Sequence, residues 1–168
     1  MGSNLEQRVW WNYLEEDLRE LLGEALFLGE QAEAWTQTFH DYSFVVFPAA
    51  KAYEGFLKKL FLDMGFITSN DYYGKRFRIG KALNPSLDRR RFRKKQGVYN
   101  KLVNYCGGRD LADGMWSTWK ECRNKLFHWF PEEKNVVSLS EAKQKVTLVL
   151  NTMDAAFEEC KVGADNNK

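Results

Sequence analysis

Apolar residues recur at helical intervals along most of the chain. In residues 4–22, Leu5, Val9, Tyr13 and Leu21 share one face, with Asn4 in an N-cap position. A second helix is expected over 24–39, carrying Leu28, Ala32, Trp35 and Phe39 on one stripe, with Gly23 as the break before it. The longest candidate spans 42–64, "YSFVVFPAAKAYEGFLKKLFLDM". Its first part is apolar all round. Its second part is amphipathic, with Ala52, Phe56, Leu60 and Met64 in step, as expected of a buried central helix. Pro48 predicts a kink or a new start, and Gly65 a C-terminal stop.

Residues 66–97 lack this period. Gly, Asn, Pro and Ser interrupt them, so they read as a long loop with one short helix near 87–93. Helical spacing resumes over 98–106 and ends at Gly107-Gly108. It returns over 110–129, where Leu111, Met115, Trp119, Cys122 and Leu126 form a core stripe that Pro131 terminates. "SLSE" opens the last helix with Ser138 and Glu141 as a capping box; Ala142, Val146, Val149, Met153 and Phe157 follow on one face. No stretch alternates long enough for a strand. The pattern predicts an all-α bundle of five or six helices, one domain over 1–162, with a long basic loop and a disordered tail at 163–168.

Composition narrows the class. The 168 residues include six Trp, seven Tyr and twelve Phe, which suits a packed core rather than a disordered chain. No apolar run approaches the ~18 residues of a membrane span, and "MGSNLEQRVW" has no signal-peptide pattern. Cys106, Cys122 and Cys160 are odd in number and form no CxxC pair, which predicts reduced thiols in a cytoplasmic protein and supplies no zinc site. The net charge of +2 hides an asymmetry: residues 75–95 carry +9, leaving −7 on the remainder. Within that segment "RRRFRKK" concentrates Arg89, Arg90, Arg91, Arg93, Lys94 and Lys95, the residues expected to contact nucleic-acid phosphates, with Phe92 or Tyr99 stacking on a base. A solvated loop or a dock for an acidic protein partner is the competing reading.

The candidate chemistry lies in "RNKLFH", residues 123–128. Asn124 and His128 are four apart and share a helical face, whereas Arg123 and His128 lie about 140° apart around an ideal axis. A long Arg side chain, a helix that loosens near its end, or a second copy of the helix would close that gap. Trp116 and Phe127 flank Arg123 off the core stripe, which predicts a homodimer interface there. Metal-free cleavage of RNA needs a base for the ribose 2′-OH and a cation for the charge that builds on the phosphate. Histidine supplies the first and arginine the second, with no cofactor or metal. Asn124 orients either group or contacts the ribose. A histidine near a helix C-terminus also caps that end, and spacing alone does not separate the two readings.

The same residues resemble the signature of HEPN domains: Arg, a polar residue (commonly Asn) directly after it, and His five positions after the Arg, near the end of a helix in an all-α bundle. Arg123, Asn124 and His128 match it. The helical layout is similar over most of the chain, and "FPAAKAYEGFLKKLF" looks like the central helix of the HEPN toxin domain in RNase LS-type phage-defence toxins. The resemblance implies a metal-independent endoribonuclease acting as a dimer with Arg and His from both subunits in one cleft, restrained by an antitoxin or serving antiviral defence. It also implies an acid from the central helix near the site, for which Glu54 is the candidate; pairing with Lys58 four residues on is its structural alternative. RNase LS-type toxins carry further N-terminal domains that these residues do not include. Some HEPN toxins are silenced by nucleotide transfer to a tyrosine two residues after the His. That position is Phe130 here, so an antitoxin is expected to act by binding.

Lys51 and Asp41 are weaker site candidates, His40 reads as a helix-end residue, and Trp10-Trp11 as core and rim packing. The alternative function is a non-catalytic HEPN-like helical module that binds RNA or a protein partner.

Overall fold

A computed structural model describes residues 4–87, 97–129, 131–132 and 135–160. These residues form helices and turns with no strand among them, so the chain is an all-α bundle. No described helix is long and apolar enough to cross a membrane. The Arg89–Lys95 run, Phe92, Phe130, most of the short helix expected near 87–93 and the 163–168 tail lie outside the described residues.

The N-terminal segment differs from its expected single helix. It forms two 3-10 turns, Leu5–Gln7 and Trp11–Tyr13, before α1 (Glu16–Ala34) begins. Tertiary contacts outweigh the local period here. Trp10 is fully buried, and its indole N–H donates to Asp154 Oδ1 at 2.7 Å, with Arg8 paired to the same carboxylate. Trp11 is half-buried at the rim, with the Arg19 guanidinium 5.6 Å from its ring centroid. Gly23, the expected break, lies inside α1. Trp35 and Phe39, expected on a helix stripe, instead fall beyond its end in a loop and cluster with Phe44 of the next helix.

The central helix α2 (Ser43–Asp63) buries twelve residues and runs through Pro48 without ending. Pro48 sits in its second turn, where the missing N–H forfeits one bond only. The start of α2 is held by Asp41, whose carboxylate accepts from the Ser43 N–H at 3.1 Å, the Ser43 hydroxyl at 2.7 Å and the Val137 N–H at 3.2 Å. Its end is a Schellman turn: Phe66 N–H donates to Phe61 O at 2.8 Å, Gly65 N–H to Leu62 O at 2.9 Å, and Gly65 takes φ 68°. α1 approaches α2 so closely that a Cβ on Gly55 would fall 2.6 Å from Leu18.

The segment expected to be loop contains α3 (Ser69–Tyr73), started by a Thr68–Asp71 capping box, and α4 (Ile79–Ala82), which buries Ile79 and Ala82. α5 (Val98–Cys106) ends at Gly107 with φ 67°, as the sequence predicts. α6 is shorter than expected. It stays α-helical over Asp110–Trp119, then widens into a π-helical turn at Lys120–Asn124, where Lys125 N–H reaches back five residues to Lys120 O at 3.0 Å. α7 (Leu139–Cys160) closes the bundle against α2, α1 and α6. The three cysteines are free; burial pushes the Cys122 and Cys160 thiols up to about 12.

The capping box at the start of α7 is fully formed. Ser138 N–H and hydroxyl each donate to Glu141 Oε2 at 2.8 Å, and these bonds hold the carboxyl below its ordinary range. A carboxylate depressed in the fold stabilises above its unfolded pKa, about 4.3, and loses that contribution as pH falls through the folded value. Glu141→Gln therefore lowers Tm at neutral pH, and the gap to the parent protein closes as the solution is taken below about pH 4. A gap independent of pH in thermal melts would show that the charge adds nothing.

Candidate functional site

Four side chains fall on the outer strip of α2 at helical spacing: Phe47, Lys51, Glu54 and Lys58. The π-turn and the residues after it run along this strip. Arg123 Nε lies 3.3 Å from Glu54 Oε2, and Phe127 meets Phe47 edge-on with centroids 5.3 Å apart. Glu54 also pairs with Lys58 at 3.8 Å, the structural alternative expected of this acid. Residues 69 positions apart thus meet on one surface.

Arg123 is held from a second direction. Its guanidinium carbon lies 4.9 Å from the ring centroid of Trp119. The indole is 4 % exposed and is seated against α4, where a Cβ on Gly80 would lie 2.7 Å from Nε1. The Glu54–Arg123 pair is part-exposed on both sides, so its contribution to stability is at most about 1 kcal/mol. A cation–π contact at such a site adds about 0.5–1 kcal/mol. These magnitudes are small for folding. The pair of contacts chiefly fixes the direction of one guanidinium.

The π-turn replaces the helical-wheel argument for the motif. Arg123 and Asn124 lie within it, while His128 follows a turn beyond regular helix and is exposed. The 140° separation assumed an ideal helix through residue 128. The structure contains the loosened end instead. A π-turn inserts one residue into the backbone ladder and re-aims the side chains around it, a device common at functional sites.

Other sequence candidates fall elsewhere. Trp116, expected to stand outside the core, is half-buried and packs against it; Phe127 is half-buried against Phe47. Tyr99, a candidate for base stacking, is buried, donates to Asp113 Oδ1 at 2.5 Å and accepts from Arg109, whose guanidinium lies 5.8 Å from its ring centroid. Asp41 is occupied by backbone and hydroxyl donors at the start of α2, and His40 is exposed beside it, some 16 Å or more along α2 from Glu54. Lys51 is exposed and has no carboxylate partner among the described residues. Sequence reasoning missed Trp119 as the seat of Arg123, because it also belongs to the core stripe, and Gly80, which carries no motif. Among the described residues no His, Cys, Asp and Glu side chains gather as a metal-binding group.

Compared with protein-family models, curated proteins and solved structures, the chain has no match.

Gly80 tests the seating of Trp119. The buried indole cannot swing aside, so Gly80→Ala should destabilise the fold by about 1–3 kcal/mol. Gly80→Ala should also perturb the tryptophan emission of the folded protein. Unchanged denaturant midpoint and unchanged emission would mean that the Trp119 seat is loose.

Proposed function

We propose that this chain is a metal-independent endoribonuclease of the HEPN kind, acting as a toxin or antiviral-defence effector. The observation that supports the reading best is the Glu54–Arg123 pair over Trp119: one cation oriented by two contacts, at a π-turn, just before an exposed histidine. In the proposed reaction His128 takes the proton from the ribose 2′-OH, and the 2′-oxygen attacks the adjacent phosphorus. Arg123 neutralises the charge that builds on the phosphoryl oxygens. The 5′-oxygen leaves with a proton from an imidazolium. The products are a 2′,3′-cyclic phosphate and a 5′-OH end. Asn124, next to Arg123 on the exposed side, serves the ribose or the phosphate. Glu54 is a positioning residue for Arg123.

A homodimer would bring two such helix ends into one cleft, with Phe127 at the contact and Trp116 behind it. A protein antitoxin acting by binding would occlude that cleft. RNA phosphates would be followed by Arg89, Arg90, Arg91, Arg93, Lys94 and Lys95.

The test is cleavage of a labelled single-stranded RNA in EDTA. The parent protein should cut it and leave cyclic phosphate ends. His128→Ala should lose about 10²–10⁴-fold in rate, as expected for loss of an acid–base group. Glu54→Gln, which keeps the shape and removes the charge, should lose about 10²-fold through misplacement of Arg123. Equal cleavage by parent and His128→Ala would assign the activity to another site. No cleavage by either, with RNA still bound, would favour the non-catalytic binding module.

A further inference from the structure

Phe47 is 53 % exposed on the outer strip of α2, a large apolar ring left open to solvent near the start of the central helix. It is not a loose side chain. Phe127 braces it edge-on from the segment that carries Arg123 and His128. That contact steadies the ring while more than half of the residue's surface stays open to solvent. One turn along α2 stands Lys51, exposed and without a carboxylate partner among the described residues. Glu54, with Arg123, lies two turns from Phe47, about 10 Å along the axis. An exposed aromatic ring, an exposed lysine and an oriented guanidinium therefore follow one another along a single strip.

We propose that Phe47 is a base-stacking subsite for single-stranded RNA, with Lys51 on a backbone phosphate, next to the scissile position at Arg123 and His128. The choice of ligand rests on the reading of those two residues as an RNA-cleaving pair. A flat apolar surface also suits a second copy of this chain. The flanking cations favour a strand that brings its own negative charge. Every base has a π-face, so such a subsite tolerates sequence while fixing register. It places one nucleotide relative to the cleaved bond without reading its edge.

The experiment measures binding apart from cleavage. A fluorescent RNA strand methylated at every 2′-oxygen cannot undergo 2′-OH attack, and its anisotropy with the parent protein reports affinity. Phe47→Ala and Phe47→Leu should each weaken binding between about fivefold and a hundredfold, the range for one stacked base. Phe47→Trp should retain it. Lys51→Gln should lower the slope of log affinity against log salt by about 0.7, the value for one phosphate of a single strand. Parent-like binding by Phe47→Leu would overturn stacking, as would failure of the parent protein to bind the methylated strand. Unchanged RNA binding with a shifted sedimentation coefficient for Phe47→Ala would overturn it in favour of a contact between copies. Phe47-dependent binding without cleavage of ordinary RNA would leave the subsite standing and remove the catalytic reading. Cleavage that is indifferent to Phe47 would do the reverse.

Discussion

One buried hydrogen bond sets the register on which the candidate site depends. The Tyr53 hydroxyl, in the core of α2, donates to the Met115 carbonyl of α6 at 3.2 Å. Tyr53 precedes Glu54 in the chain, and Met115 lies one turn before Trp119. Fixing these two points fixes how far α6 slides along α2. Glu54 and Arg123 then meet as a consequence of core packing, although both are part-exposed. Tyr53 is fully enclosed, and burial pushes its hydroxyl well above the ordinary range, which favours the protonated donor. A buried donor without its acceptor is penalised by about 1–3 kcal/mol, more than the surface ion pair it positions can supply.

The same division runs through the bundle. Strong terms lie inside: the twelve buried residues of α2, the Gly55 contact with Leu18, and the Trp10 bond to Asp154. Weak terms lie on the strip outside, where the pairs of Glu54 with Arg123 and Lys58 and the Phe47–Phe127 contact are each of the order of 1 kcal/mol or less. A surface built from weak terms exchanges them readily. Loss of the Glu54 contact with Arg123 would therefore cost the fold little. The proposed function uses that weakness, since a phosphate would replace Glu54 on Arg123 without disturbing the core.

The π-turn at Lys120–Asn124 shows how a local irregularity can serve such a surface. Trp119 belongs to the core and is clamped on Gly80. Trp119 and Cys122 are both buried on either side of the point where the α-helix gives way to the π-turn. The extra residue in the turn keeps Cys122 buried, with its thiol donating to Lys145 O, while Arg123 turns to α2. The core stripe and the site therefore use the same short segment without contradiction.

The sequence by itself determined the helical class, the central position of α2, the glycine stops at Gly65 and Gly107 and the capping box at Ser138, because each follows from local periodicity or local backbone chemistry. It also singled out Arg123, Asn124, His128 and Glu54 as chemistry worth testing. It misjudged the first helix, the Thr68–Asp71 cap and the length of α6. At those places a long-range partner such as Asp154 or Glu54, or a short cap inside a polar segment, outweighs the apolar period. Only the tertiary structure decided that Glu54 faces Arg123, that Trp119 seats it, that Tyr99 is committed to Asp113 and Arg109, and that Phe47 stands open beside Phe127. Each is a contact between segments remote in sequence. Such contacts are settled by how α2, α4 and α6 pack, and no spacing rule within one helix encodes that.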